Sequence, residues 1–298
     1  MTHFHSIGKF QYQAPNALPA VLKILGTKDR TIKILAGGTD LMLLMKQGLV
    51  CPSVVVDVKQ IPELNRLEWS PQKGLRLGAA VPLSRLLAFN GLPKEFSILL
   101  QACSLIGSIQ IKNRGTIGGN ICNAAPSADS APPLLCLGAK VVLASNKGNR
   151  TMALDEFFRA PGKNALADDE LLVEIAISTP LAHSAGCYLR HTTREKMDIA
   201  VAGAASFLTS VPGKGRLNAA RIALGAVAPT PLRAHGAEAV LVGKTVTPAL
   251  VERAAEQAAR EAGPISDIRG SAEYRREIVK VLVRRTLKKA CKELGIEV

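Results

Sequence analysis

The sequence lacks the cysteine and histidine spacing of a metal site. Its six cysteines, Cys51, Cys103, Cys122, Cys136, Cys187 and Cys291, lie far apart with no C-x-x-C pair, and His3, His5, His183, His191 and His235 keep no ligand spacing. Zinc and iron–sulfur centres are therefore not expected on this chain, and any metal a reaction needs must sit on another. The cysteines read as buried or free thiols. Long apolar runs are also missing: residues 34–45 and 131–137 fall short of the roughly 20 residues a membrane span needs, and glycine, proline or charge interrupts them. The N-terminus shows no charged start, apolar stretch and cleavage site in succession, so the expectation is a cytoplasmic protein that crosses no bilayer. Aromatic residues are few, seven Phe, three Tyr and one Trp. That scarcity argues against base stacking on nucleic acid despite a net charge of +14.

What is present is an ordinary globular composition. With 298 residues, 47% hydrophobic and 21% charged, and a mean hydropathy of +0.16, the chain can bury a core without disulfides, and its length fits two domains. Residues 31–36 read as a strand ending in Gly37-Gly38, followed by a short helix with Thr39 or Asp40 as N-cap and Gly48 as its stop. Further strands are expected at 53–58 and from Gly74, a short helix from Pro82 to Leu87, and a longer one over 95–107. Residues 114–139 hold so much Gly, Asn, Pro and Ser that they read as a long ordered loop until Pro132. Residues 139–154 read as a hairpin by pattern and turn chemistry, and 171–178 as a strand. Beyond Thr179-Pro180, small and apolar residues alternate through 201–210 and 216–229 around a turn at 212–215, which describes an antiparallel sheet. Two helices close the chain, capped by Thr247 and Ser271. In the last, Ile278, Val279, Leu282, Val283, Leu287, Ala290 and Cys291 face a core, while Arg275, Arg276, Lys280, Arg284, Arg285, Lys288 and Lys289 fill a solvated basic face.

Two glycine-rich turns carry the chemistry, AGGTDL at 36–41 and GTIGGN at 115–120. Neither has the spacing of a P-loop or a G-x-G-x-x-G fingerprint. Glycine pairs let backbone N–H groups approach an anion, and a helix start beside them adds positive dipole, so the two turns read as halves of a pyrophosphate cradle. A tight turn needing positive φ would explain each one separately. No histidine, serine or cysteine sits in a recognised catalytic frame.

The segments AGGTDLMLLMKQG and TIGGNICNAAPSADSAPPLL closely resemble the FAD-binding subunit of molybdenum hydroxylases, the family of the xanthine dehydrogenase flavin subunit and the carbon monoxide dehydrogenase medium subunit. LRHTTREKMDIAVAGAA, GAVAPTPLRA and DIRGSAEYRREIVKVLVRRTL extend the resemblance over essentially the whole chain. It implies an α+β fold: a two-lobed FAD-binding domain of the PCMH/vanillyl-alcohol-oxidase type over 1–177, with lobes of about 1–58 and 59–177, then a smaller α+β domain over 178–298, an antiparallel sheet with helices.

The resemblance also places noncovalent FAD. Ile34, Leu35, Ala36, Gly37, Gly38, Thr39, Asp40 and Leu41 correspond to the stretch that wraps the pyrophosphate. Gly115, Thr116, Gly118, Gly119 and Asn120 would complete that site, with Gly107 and Ile111 towards the adenosine half. Cys122, Asn123 and Asp129 fall at cofactor contacts, the carboxylate being suited to a ribose or ribityl hydroxyl, and Leu172 lies along the flavin or adenine edge. Arg190 stands where relatives commonly carry lysine, a cation that would stabilise negative charge on the reduced ring. Arg194 and Asp198 follow at the family's spacing, or form a plain surface ion pair; Ile199 lies over the isoalloxazine, or is a plain core residue. The function implied is electron transfer from a [2Fe-2S] small subunit through FAD to NAD or another acceptor. A molybdopterin large subunit oxidises the substrate, and the assembly is a dimer of heterotrimers. The alternatives are a self-sufficient FAD-dependent oxidoreductase of the same broad fold, and a basic nucleic-acid-binding or scaffolding protein.

Overall fold

Three β-sheets succeed one another along the chain. In the computed structural model, which describes residues 7–27, 30–195, 197–213 and 215–298, β1 (Gln11–Gln13), α1 (Leu18–Leu25), β2 (Ile32–Leu35), α2 (Leu41–Lys46) and β3 (Val54–Asp57) form a parallel unit with β3 in the centre. Val54, Val55 and Val56 are buried on both faces, as a central parallel strand requires. The second sheet follows: β4 (Leu67–Ser70), β5 (Gly74–Gly78), α3 (Leu83–Leu87), α4 (Ser97–Leu105), α5 (Ile109–Lys112), α6 (Ile117–Asn123), α7 (Ala131–Cys136), β6 (Lys140–Ser145), β7 (Gly148–Ala153), the small pair β8 (Phe158–Ala160) and β9 (Lys163–Asn164), and β10 (Leu171–Ile177). Its five strands run antiparallel in the order β4-β5-β10-β6-β7. The third sheet is β11 (Ser184–His191), β12 (Ala202–Ser210), β13 (Leu217–Gly225) and β14 (Leu232–Arg233), antiparallel and covered by α8 (His235–Leu241), α9 (Pro248–Glu261) and α10 (Ala272–Glu293). No helix among the described residues is long and apolar enough to cross a membrane. His3, His5 and Lys214 of the expected 212–215 turn lie outside the described residues.

All nine residues of β12 are buried. Its alternation splits them between two cores: Ala205 and Phe207 join the apolar cluster of the first two sheets, while Ala202, Ala204 and Leu208 join that of α8, α9 and α10. The small side chains let a layer approach from each side. A Cβ at Gly186 would fall 2.6 Å from the Phe207 ring and 2.9 Å from Ile98, and one at Gly203 would fall 2.8 Å from the Tyr188 hydroxyl. The two closing helices start where expected. Thr247 Oγ1 accepts from the Leu250 N–H and Ser271 Oγ from the Tyr274 N–H, each satisfying one donor of a first turn.

Four expectations are corrected. Residues 114–139 are not a loop up to Pro132, because α6 occupies their middle: Thr116 caps it by accepting from the Gly119 N–H at 2.9 Å, and Gly118 lets it lie directly on Ala79. The helix expected over 95–107 begins as a 3-10 turn at Lys94–Phe96 and becomes α4 only from Ser97. Asp40 sits at the N-cap of α2, yet its side chain makes no capping bond. Arg275 is not on the solvated face of α10 but 3% exposed.

Candidate functional site

The first glycine-rich turn leaves the C-terminal edge of the parallel sheet, where Leu35 is in register with Asp57. Gly38 takes φ +75°, a left-handed conformation that favours glycine. Gly37 has a different reason: a Cβ there would overlap the Arg114 carbonyl oxygen and come within 2.8 Å of Gly115 Cα. The two glycine-rich segments therefore touch, and a side chain at 37 would separate them. Among the described residues, the N–H groups of Gly37, Gly38, Thr39, Asp40 and Leu41 find no protein acceptor. Residues 34–39 and Leu41 are half-buried, with only Asp40 fully exposed. A run of free donors on a half-buried turn suits an anion held by the backbone.

On the second segment, Gly118 and Gly119 have separate roles. Gly118 is buried, and a Cβ would overlap the Ala79 carbonyl oxygen and fall 2.6 Å from Ala79 Cα and Cβ; at Gly119 a Cβ would meet only Thr116 Oγ1, at 3.1 Å. The open side of α6 is thus the Gly119 side. Asn120 Oδ1 accepts from Ser130 Oγ at 2.7 Å, and the Cys122 carbonyl accepts from Asn164 Nδ2 at 2.7 Å. Burial pushes the Cys122 thiol up to about 12. Asn123 is half-buried at the end of α6. Gly107, at φ +56°, turns against Ile111, whose side chain stays 36% exposed.

The remaining expected residues divide into a buried group and an exposed one. Asp129 and Arg190 pair with each other, and Asp129 Oδ1 also accepts from the Tyr188 hydroxyl at 2.6 Å. Burial lifts the Asp129 carboxyl above the usual carboxylate range, against the opposing pull of Tyr188 and Arg190. Burial, followed by the Asp129 charge, lifts the Tyr188 phenol well above its ordinary value. The exposed Arg194 pairs at 3.6 Å with Asp198, whose side chain is only 12% exposed, and the Asp198 carboxyl is held low chiefly by the Arg194 N–H. Ile199 is 50% exposed and so is no core residue. Its loop folds back on β11 through the Val201 N–H, which donates to the His191 carbonyl at 2.8 Å. Leu172 is enclosed within β10 opposite Leu143, at 2% exposure.

Sequence reasoning missed three residues. Tyr188 and the carbonyl of Leu105 complete the surroundings of Asp129 and Arg190, and the i, i+2 spacing of Tyr188 and Arg190 on one strand was a usable signal for the first. The third is Arg275, which donates to the carbonyls of Val201 (2.8 Å) and Ala226 (3.0 Å) and to Asp267 (2.6 Å), tying the Ile199 loop to α10. No periodicity distinguishes it from its basic neighbours on the helix.

Backbone donors of this kind suit an anion of any chemistry, and comparison with known proteins gives the class. Residues 8–180 match the family described as the FAD binding domain in molybdopterin dehydrogenase, and residues 188–290 the CO dehydrogenase flavoprotein C-terminal domain. The chain belongs to this family of FAD subunits of molybdenum hydroxylases, which are oxidoreductases, and FAD is its cofactor.

Its relatives are of similar length. It is 32% identical over 282 residues to the carbon monoxide dehydrogenase medium chain of Hydrogenophaga pseudoflava, covering 95% of this chain and 97% of that one. It is 31% identical over 264 residues to the xanthine dehydrogenase FAD-binding subunit of Escherichia coli O157:H7, covering 88% and 90%. The fold superposes on a structure of the Hydrogenophaga pseudoflava carbon monoxide dehydrogenase with a TM-score of 0.92 at 32% identity, over 97% of this chain and 99% of that one. These relatives are subunits of larger dehydrogenases.

Proposed function

We propose that this chain is the electron-transfer subunit of a molybdenum hydroxylase, taking electrons from a [2Fe-2S] small subunit and passing them to NAD or another acceptor. A molybdopterin large subunit performs the substrate oxidation, and the assembly is a dimer of heterotrimers. The FAD-binding domain spans 1–177 and the C-terminal domain 178–298. The observation that carries the reading is the contact of the two glycine-rich segments at Gly37 and Arg114-Gly115, beside five backbone N–H groups without protein acceptors. Names of relatives such as "6-hydroxypseudooxynicotine dehydrogenase complex subunit alpha" and "Nicotine 6-hydroxylase medium subunit" support a multisubunit setting.

FAD supplies the redox chemistry when bound, and the protein positions and tunes it. The N–H groups of residues 37–41 bind the diphosphate, and the Gly119 side of α6 gives it room. Ile34, Leu35 and Ile111 offer apolar surface that keeps water from the cofactor's flank. Ile199, half-exposed and aliphatic on its own loop, would stand at the isoalloxazine and would leave that ring accessible to an acceptor. None of these residues moves a proton in the reading.

The test is the visible spectrum of the purified chain after incubation with FAD and removal of the excess. Retained flavin bands that are released unchanged on denaturation are expected. A chain that stays colourless both alone and in the complex isolated from its own cells would overturn the proposal.

A further inference from the structure

Four polar contacts cross the seam between the FAD-binding domain and the third sheet at one place. Arg190, with its side chain 6% exposed, donates through Nη1 to Asp129 and through Nη2 to the Leu105 carbonyl at 3.0 Å. The Tyr188 hydroxyl donates to Asp129 at 2.6 Å, and the Tyr188 N–H to Gln101 Oε1 at 3.2 Å. Gln101, Leu105 and Asp129 come from α4 and from the segment before α7; Tyr188 and Arg190 are neighbours on one face of β11. Two of these anchors, Leu105 and Arg190, lead towards the proposed cofactor site. Leu105 ends α4 just before the left-handed turn at Gly107, and Arg190 precedes His191, whose carbonyl holds the Ile199 loop through Val201.

The charge of Arg190 is matched at contact distance by a carboxylate that is itself 8% exposed. The field such a pair projects is that of a dipole, far weaker than that of a lone cation. A buried pair of this kind contributes little net stability because both groups are desolvated, while removing one member leaves an uncompensated charge. What it supplies is geometry.

We propose that Asp129, Arg190 and Tyr188 form a clamp across the domain seam, with Arg190 a positioning residue that aligns the Gly107 turn with the Ile199 loop, and not the cation that stabilises the reduced flavin. The proposal rests on the FAD reading above.

Charge and position give opposite expectations for paired variants. If Arg190 acts on the flavin as a charge, Arg190→Met lowers the midpoint potential and Asp129→Asn raises it. If the pair is a clamp, both weaken FAD binding by about tenfold, the coupling expected within one hydrogen-bond network, and any shifts in potential share one sign. The full-length chain is titrated with FAD, its potential is measured against a reference dye, and amide hydrogen exchange is followed over 101–107 and 184–191 without FAD. Exchange faster on both sides of the seam in both variants, and partly restored in Arg190→Lys, is expected. The milder Tyr188→Phe should show the same pattern at smaller size, which covers a failure of the charge variants to fold. Potentials shifting in opposite directions with unchanged exchange would overturn the clamp. A wild-type chain that never takes up FAD would instead overturn the function, and the exchange measurement would still decide the clamp.

Discussion

Gly118 and Gly119 are adjacent in one helix and identical in composition, yet adding a single methyl group to each should have opposite effects. In a helix, glycine to alanine gains about 0.5–1 kcal/mol from reduced backbone entropy. Gly119→Ala keeps most of that gain, because its Cβ would meet only Thr116 Oγ1, at 3.1 Å, and this capping hydroxyl need shift by only a few tenths of an ångström. Gly118→Ala does not, since its Cβ would overlap the Ala79 carbonyl oxygen and lie 2.6 Å from Ala79 Cα and Cβ. Those atoms are backbone or rooted in it, so α6 itself must shift. Overpacking of a close contact costs about 1–3 kcal/mol, which leaves a net loss of about 1–2 kcal/mol for Gly118→Ala. For a chain of this size about 1 kcal/mol moves the melting temperature by about 2 °C, so Gly118→Ala should melt about 2–4 °C lower and Gly119→Ala about 1–2 °C higher than the parent without FAD. FAD binding should divide differently: Gly119→Ala places its methyl on the open side of α6 and should weaken binding despite the higher melting temperature. Calorimetry without cofactor and a fluorescence titration with FAD measure the two quantities. If Gly118→Ala is as stable as the parent, the close approach to Ala79 is wrong; if Gly119→Ala binds FAD normally, the diphosphate does not lie against that side of α6.

Of the six cysteines only Cys51 is exposed, and burial lifts the thiols of Cys103 and Cys122 to about 12, so a native-state thiol assay should count one fast group, lost in Cys51→Ser. Two or more fast groups would contradict the packing of α4 or α6. Arg275→Met should lower stability by about 2 kcal/mol, because it leaves two carbonyls without their donor and removes one of the two arginines that pair with Asp267; chemical denaturation measures it, and a change under about 1 kcal/mol would refute the staple. The Asp267 carboxyl is held below its ordinary value by the Arg269 N–H and then by Arg275. Its contribution is complete above the ordinary aspartate value near about 4 and is lost as pH falls through the lowered folded value. The melting temperatures of wild type and Asp267→Asn should accordingly converge on acidification below about pH 4. Parallel curves would refute the assignment.

Much of the architecture was legible because its signals are local. The strand before Gly37, the 139–154 hairpin and the caps at Thr247 and Ser271 each follow from a few adjacent residues. Residues 114–139 were not legible, because α6 is a helix by virtue of contacts elsewhere: Gly118 would weaken an isolated helix, and it is the room it leaves for Ala79 that seats this one. Arg275 escaped for a related reason. Its position on α10 is not set apart by spacing from that of the solvated Arg276, and the carbonyls of Val201 and Ala226 together with the Asp267 carboxylate make its burial tolerable. The glycine-rich turns were legible as a pair through resemblance, but their contact at Gly37 appears only in three dimensions.

The same distinction governs Arg190. Read along the sequence, it is a cation at a position where relatives commonly carry lysine, and the resemblance gives that charge an electronic role at the flavin. Read in the structure, the charge is matched by Asp129, the second hydrogen bond goes to a backbone carbonyl of the other domain, and Tyr188 from the same strand face meets the same carboxylate. Under the proposed electron-transfer function, the substrate is oxidised on another subunit and this chain has no substrate of that reaction to orient. What that function requires of this chain is a fixed distance between the cofactor and whatever approaches it, and on the proposed placement FAD would lie at the seam between the two domains. A neutralised, buried, multidentate contact across that seam meets the requirement without adding a charge that would bias the potential. An arginine is then the more suitable residue at this position than a lysine, because its fork reaches Asp129 and Leu105 at once.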